Sequence, residues 1–245
     1  MITLWPVAGA PAALDDATLA AQYAYPDALA EPWVRVSFVT SADGAVAVEG
    51  RSAGLGSHAD RKVFGLLRRL ADVILVGAGT VRAEDYRGAR GRDPAPIAVI
   101  TGSANIDPGS RLFTDTAVAP IVLTLESAPP HRRERLAAAG ADVSVLTSLA
   151  PRSVLAELSR RGLHRVLCEG GPTVLGDLVA DDAVDELCLT ISPLLAGGSA
   201  GRIARSVVDA PGRPLELVSA LHEDGVLLLR YTRRKGETMD VRTSV

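Results

Sequence analysis

The order of apolar and polar positions divides the chain into alternating strand-like and helix-like stretches. Val34-Arg35-Val36-Ser37-Phe38-Val39 alternates β-branched or aromatic residues with polar ones, the two-residue period of a strand. From His58 to Leu70 the period changes, and Val63, Leu66, Leu67 and Leu70 recur at helical spacing as one apolar stripe. Val73–Val76, Ile97–Ile100, Ile121–Leu125 and Val166–Cys168 are short apolar runs that read as buried strands. Arg132–Ala139 and Ser153–Arg161 read as helices. Pro172–Val179 reads as a third, with Val174, Leu175, Leu178 and Val179 on one side. Glu186–Ser192 and Val226–Tyr231 read as closing strands.

This alternation predicts an α/β domain, a mostly parallel central sheet flanked by helices, with the late strands antiparallel at an edge. The domain is expected over residues 33–232. Residues 1–32, rich in Ala, Pro and Asp, read as an N-terminal arm or short helical prelude, and 233–245 as a polar C-terminal tail.

Composition narrows the function. A length of 245 residues suits one large α/β domain, with two small ones as the alternative. A hydrophobic fraction of 47% with only 4% aromatic residues favours buried strands over a stacking platform for nucleic acid. The net charge of −3 argues against general affinity for nucleic acid or an anionic membrane, so phosphate binding must come from a few placed groups. No apolar run is long enough to span a bilayer, and Met1–Ala13 lacks the basic and apolar regions of a signal peptide. Cys168 and Cys188 sit in apolar runs without metal-ligand neighbours and read as buried free thiols of a cytoplasmic protein. The histidines are isolated and there is no C-x-x-C, so no metal site is expected. Neither a nucleophile elbow nor a P-loop is present.

Four local features can carry chemistry. In Val166-Leu167-Cys168-Glu169-Gly170-Gly171-Pro172-Thr173 a buried strand ends in a carboxylate and two glycines before a helix begins. Proline is tolerated in the first helical turn, glycine lets backbone approach a ligand, and a helix start favours phosphate. The plain alternative is an ordinary strand-to-helix turn, although such a turn needs no carboxylate. Val76-Gly77-Ala78-Gly79-Thr80-Val81 starts like a dinucleotide fingerprint, but Arg82 stands where a third glycine would be. Thr80 serves either a phosphate oxygen or the next turn. Ser41-Ala42-Asp43-Gly44 is either a hairpin turn or the site of a cleft-edge carboxylate. Arg68, beside the apolar stripe, is either a snorkelling arginine or a phosphate clamp.

In this order and spacing, the features resemble the pyrimidine reductase family of riboflavin biosynthesis, whose domain has a dihydrofolate-reductase-like fold. The resemblance covers Trp33–Tyr231 and includes Ala71–Val81, Val184-Asp185-Glu186-Leu187 and Ser192–Gly198. It implies a homodimeric oxidoreductase of the 5-amino-6-(5-phosphoribosylamino)uracil reductase type, with NADPH as hydride donor. The small phosphorylated substrate would be a ribosylaminopyrimidine 5′-phosphate, reduced at C1′. It puts cofactor contacts on Thr80, Glu84, Gly102 and the run Gly170, Gly171, Pro172, Thr173, Val174, Leu175 and Gly176. Substrate contacts fall on Ser52, Arg68 and Glu169, and the catalytic carboxyls on Asp43 and Glu169. The chain departs from the family at Glu84, where Asp is common, and at Gly54, where some members carry tryptophan. It also lacks the acidic-proline continuation at Asp85–Arg92, which leaves Arg87, Arg90 and Arg92 as alternative substrate contacts. The resemblance covers the reductase domain, and the deaminase domain fused to many members is not expected here. Reduction of dihydrofolate or another pterin is the competing enzymatic reading; a non-catalytic nucleotide-binding protein is the competing reading of another class. The late apolar segments Leu187–Ile191 and Val226–Leu229 are the expected dimer interface, with ordinary core as the alternative.

Overall fold

A computed structural model describes residues 1–6, 13–206 and 212–234. The first strand-helix pair is β1 (Ile2–Trp5) and α1 (Asp16–Gln22), followed by β2 (Trp33–Ser41), α2 (His58–Leu70), β3 (Val73–Gly77) and α3 (Ala78–Ala83). Next come β4 (Ile97–Ile100), α4 (Arg111–Thr114), β5 (Ile121–Leu125), α5 (Pro130–Ala138), β6 (Asp142–Leu146) and α6 (Pro151–Arg160). The chain continues through β7 (Arg165–Cys168), α7 (Pro172–Ala180), β8 (Glu186–Ser192), β9 (Leu215–Glu223) and β10 (Val226–Arg233).

Among the described residues, ten strands form one sheet in the order β1-β9-β10-β8-β2-β7-β3-β4-β5-β6. Pairing is parallel from β8 through β6, and antiparallel for β1–β9, β9–β10 and β10–β8. This is the expected mostly parallel α/β architecture with antiparallel late strands. The strand alternation explains the apolar runs: Ile74 and Val76 face one core, Val73 and Leu75 the other. Leu19 of α1, Leu66 and Leu67 of α2 and Leu136 of α5 fill the first core, and Leu158 of α6 with Leu175 and Leu178 of α7 the second.

Several expectations change. Residues 1–32 are not simply an arm or helical prelude, because β1 pairs with β9, Ile2 opposite His222 and Thr3 opposite Leu221. β8 and β10 pair as expected but lie inside the sheet, since β9 and β1 continue beyond them. Helices α5 and α6 begin two residues earlier than their apolar periodicity suggests, each at a proline whose fixed φ suits the first turn. Arg233, placed in the expected tail, ends β10; residues 235–245 lie outside the described residues. Cys168 and Cys188 are both buried free thiols, and burial pushes the Cys168 thiol up to about 12. No described helix is long and apolar enough to cross a membrane.

Candidate functional site

The site begins where two neighbouring strands differ in length. β2 pairs with β7 only from Trp33–Arg165 to Val36–Cys168. There β7 turns away at Glu169-Gly170-Gly171, while β2 runs on to Ser41. Ser37, Phe38 and Val39 border the resulting cavity of about 830 Å³. It lies at the carboxyl ends of β3 and β7, the end of a parallel sheet that binds ligands in open α/β folds.

The two glycine motifs meet here. The Gly77 N–H donates to the Gly170 carbonyl at 2.7 Å, and the Glu169 N–H donates to that of Leu75 at 3.0 Å. Gly170 has φ +87°, and a Cβ there would lie 2.5 Å from Phe38 Cζ. A Cβ on Gly171 would lie 2.5 Å from Thr80 Oγ1. Gly170 therefore requires glycine by conformation, and at Gly171 a side chain would have to displace the Thr80 hydroxyl. Gly171 is the N-cap of α7, Pro172 its first residue, and no side chain caps the start. Thr173 and Val174 line the cavity, so backbone N–H groups that a helix start leaves without intrahelical partners lie at its wall.

The expected cofactor run divides at this point. Gly171, Pro172, Thr173 and Val174 line the cavity, whereas Gly170 is buried against Phe38. Leu175 is core, and Gly176 packs so closely that a Cβ would lie 2.3 Å from the Arg205 carbonyl oxygen. Gly102 is exposed beyond β4 and is not part of the wall. Arginines bracket its loop: Arg132 Nη1 donates to Ser103 O at 3.3 Å and Arg82 Nη1 to Asn105 O at 2.9 Å.

Opposite the helix start, Arg68 and Glu169 form a bidentate pair. Nε donates to Oε1 and Nη2 to Oε2, each at 2.7 Å. The Tyr86 hydroxyl donates to the same Oε2 at 2.5 Å. The Arg68 guanidinium lies 4.6 Å from the Phe64 ring centroid and 5.5 Å from that of Tyr86. Burial disfavours the Arg68 charge, yet the Glu169 carboxylate outweighs it and holds the guanidinium above its usual range. Burial, followed by the Glu169 charge, drives the Tyr86 phenol well above its usual range, so it is neutral and donates. Glu84 and Ser52 also line the cavity, and the Ser52 N–H donates to Glu84 Oε1 at 2.9 Å, which ties the 3-10 turn Ser52–Leu55 to the end of α3.

Asp43 stands elsewhere. Its carboxylate accepts from the Ser41 hydroxyl and from the N–H groups of Ala196 at 3.1 Å and Gly197 at 2.7 Å. These bonds, the Ser41 hydroxyl first, hold its pKa at about 2. Asp43 clasps two loops and is not among the lining residues. The Asp-Gly signal marks a tight turn, with Gly44 at φ +88°, but no second strand pairs back onto β2 after it. Among the three alternative arginines, Arg87 lines the cavity, Arg90 pairs with Asp115 at 2.8 Å and Arg92 is not on the wall.

Sequence reasoning missed Asp60 and Tyr86. Asp60, Phe64 and Arg68 recur every fourth residue on α2 and all line the cavity. That spacing was visible beside the apolar stripe and is the signal that could have found Asp60. Burial raises the Asp60 pKa, against a hydrogen bond from Thr190 and the charge of Arg61. Tyr86 had no comparable local signal, because its partner Glu169 lies far away in sequence.

The chain matches the family described as the RibD C-terminal domain over residues 32–226. It is 32% identical over 189 residues to the 2,5-diamino-6-ribosylamino-4(3H)-pyrimidinone 5′-phosphate reductase of Methanothermobacter thermautotrophicus, covering 74% of this chain and 85% of that protein. The solved structure of a pyrimidine reductase-like protein from Corynebacterium diphtheriae superposes with a TM-score of 0.74 at 25% identity, covering 83% of this chain and 92% of that one. A diaminohydroxyphosphoribosylaminopyrimidine deaminase/5-amino-6-(5-phosphoribosylamino)uracil reductase from Thermotoga maritima shares the fold, with a TM-score of 0.67 at 22% identity over 83% of this chain and 57% of that one.

Proposed function

This chain belongs to the RibD C-terminal domain family, and on that premise we propose that it passes a hydride from NADPH to C1′ of a ribosylaminopyrimidine 5′-phosphate. The observation that carries the reading is the meeting, in one cavity, of the uncapped α7 start and the Arg68–Glu169 pair.

The residues present fit a dinucleotide. Gly171 leaves the space beside Thr80 that a Cβ would fill, and the N–H groups at the α7 start suit a pyrophosphate. Thr80 and Glu84 extend the same wall. When bound, NADPH supplies the hydride. The choice of NADPH over NADH rests on the family resemblance; Arg82 and Arg132 donate to carbonyls of the Ser103–Asn105 loop, outside the cavity wall.

The chain itself binds and orients the substrate. Arg68 commits Nε and Nη2 to Glu169 and is one-fifth exposed at the cavity wall. Arg68, with Arg61 and Arg87 on the wall, offers cations to a 5′-phosphate, and Glu169 offers acceptors to sugar hydroxyls. Phe38 and Phe64 give the cavity apolar sides that limit water. The reduction adds one hydride to carbon and one proton. Asp43 is ionised at neutral pH and outside the cavity, so it is not the donor. We also propose a homodimer through the half-buried Leu189, Ile191, Leu227 and Leu229 of β8 and β10, which sedimentation tests through the mass in solution.

Steady-state oxidation of NADPH by the purified protein tests the central claim. Turnover is expected with the ribosylaminopyrimidine phosphates. Turnover of dihydrofolate alone would replace the substrate assignment, and tight NADPH binding without turnover of any pyrimidine or pterin would leave a nucleotide-binding protein.

A further inference from the structure

We propose that Asp60 makes the site selective for pyrimidines that carry a 2-amino group, against those that carry a 2-oxo group. The inference rests on the reductase reading above and names its substrate more narrowly.

Asp60 lines the cavity from the first turn of α2, on the face that also presents Phe64 and Arg68. Its Oδ2 lies beside Gly56, another wall residue, where a Cβ would be 3.4 Å away. At about 1.5 Å per residue, Asp60 and Arg68 are about 12 Å apart along the helix. That span suits a ligand with a pyrimidine edge at one end and a phosphate at the other, and Phe64 lies between them.

The carboxyl is short of donors: Thr190 gives it one hydrogen bond, and Arg61 acts on it by charge. A half-buried carboxyl in that state gains from any ligand that brings donors. A 2-amino-4-oxopyrimidine presents two adjacent donors, the ring N–H and the exocyclic amine, which match the two oxygens of one carboxylate. A uracil replaces the amine with a carbonyl oxygen. One hydrogen bond is lost, and an acceptor is pressed against an acceptor. The names of related reductases span both ring types, a diaminopyrimidinone and a uracil, so the family alone does not decide between them.

The test compares kcat/KM, at saturating NADPH, for 2,5-diamino-6-ribosylamino-4(3H)-pyrimidinone 5′-phosphate and 5-amino-6-(5-phosphoribosylamino)uracil. Wild type is expected to favour the diamino compound by at least about tenfold, mostly through KM. Asp60→Asn, whose amide offers an acceptor and a donor that match the uracil edge, is expected to bring the ratio to one or below while NADPH affinity by fluorescence titration stays unchanged. Equal use of both substrates by wild type overturns the inference even if the variant does not fold. An unchanged ratio in a folded Asp60→Asn overturns it as well. Reduction of neither compound overturns the underlying reductase reading instead.

Discussion

The molecule contains two buried arginine–glutamate clusters built from the same parts. At the cavity, Glu169 holds Arg68 with two bonds of 2.7 Å, and the guanidinium lies against Phe64 and Tyr86. Inside the sheet, Glu186 holds Arg35 at 2.7 and 3.1 Å and Arg230 at 2.8 and 3.2 Å. There the guanidinium of Arg35 lies 3.9 Å from the Tyr25 ring centroid, and that of Arg230 5.9 Å from Tyr23. The difference is enclosure. Side chains of Arg35 and Glu186 are 0% exposed, whereas Arg68 is 20% exposed and borders the cavity. The inner cluster spends its hydrogen bonds on itself and on the carbonyls of Ala24 and Gln22, so it joins β2, β8, β10 and the segment after α1. The outer cluster leaves its guanidinium partly exposed at the cavity wall. Similar parts are thus closed off in one cluster and accessible in the other.

Breaking each carboxylate separates the two roles. Glu186→Gln leaves two arginines facing each other without their shared counter-charge. It is expected to destabilise the fold by about 3–5 kcal/mol, read as a lower urea midpoint, with kcat/KM per folded molecule little changed. Glu169→Gln should reverse the pattern: solvent reaches Arg68, so stability falls less, while kcat/KM drops by about 100-fold because both the guanidinium orientation and the sugar acceptors are lost. Equal stability losses in the two variants, with activity retained in both, would erase the distinction.

Acid sharpens it further. Burial alone would raise the Glu186 pKa, but the bonds from Arg230 and the charges of Arg35 and Arg230 bring it below the usual value. A depressed folded-state pKa contributes stability above the unfolded pKa of about 4.3 and loses it as pH falls through the lower folded value. The Tm difference between wild type and Glu186→Gln should therefore be widest near neutrality and narrow steadily below about pH 4. A difference that stays constant down to acid unfolding would mean that charge at Glu186 contributes nothing.

The two clusters also differ in how far sequence could reveal them. The outer one announces itself locally, because a strand ending in Glu169 and two glycines before Pro172 is a grammar of neighbours, and so is Arg68 beside an apolar stripe. Their pairing, across 101 residues, is not local. The inner cluster leaves no such mark. Arg35 occupies a polar position in an alternating strand and would pass for solvent-facing, yet Glu186 lies 151 residues away and β8 brings it alongside. Asp43 shows the converse: a carboxylate in a turn suggested chemistry, and in the fold its oxygens accept from the distant N–H groups of Ala196 and Gly197. Motifs that require consecutive residues survive reading from sequence; contacts made by strand order do not.

The smallest effects come from the tyrosines, and they should have opposite consequences. The Tyr86 hydroxyl donates to Glu169, so Tyr86→Phe removes one of the bonds that position the carboxylate while leaving the stacked ring in place. The expected loss is about 1 kcal/mol, roughly fivefold in kcat/KM, with NADPH affinity unchanged. The Tyr25 hydroxyl is buried with no partner among the described residues. Tyr25→Phe removes an unsatisfied group and keeps the ring against Arg35, so Tm should hold or rise slightly and kcat/KM should not change. The pair of substitutions isolates one oxygen atom in each cluster. If Tyr86→Phe also spares activity, the open cluster does not depend on that hydroxyl, and Arg68 alone orients Glu169.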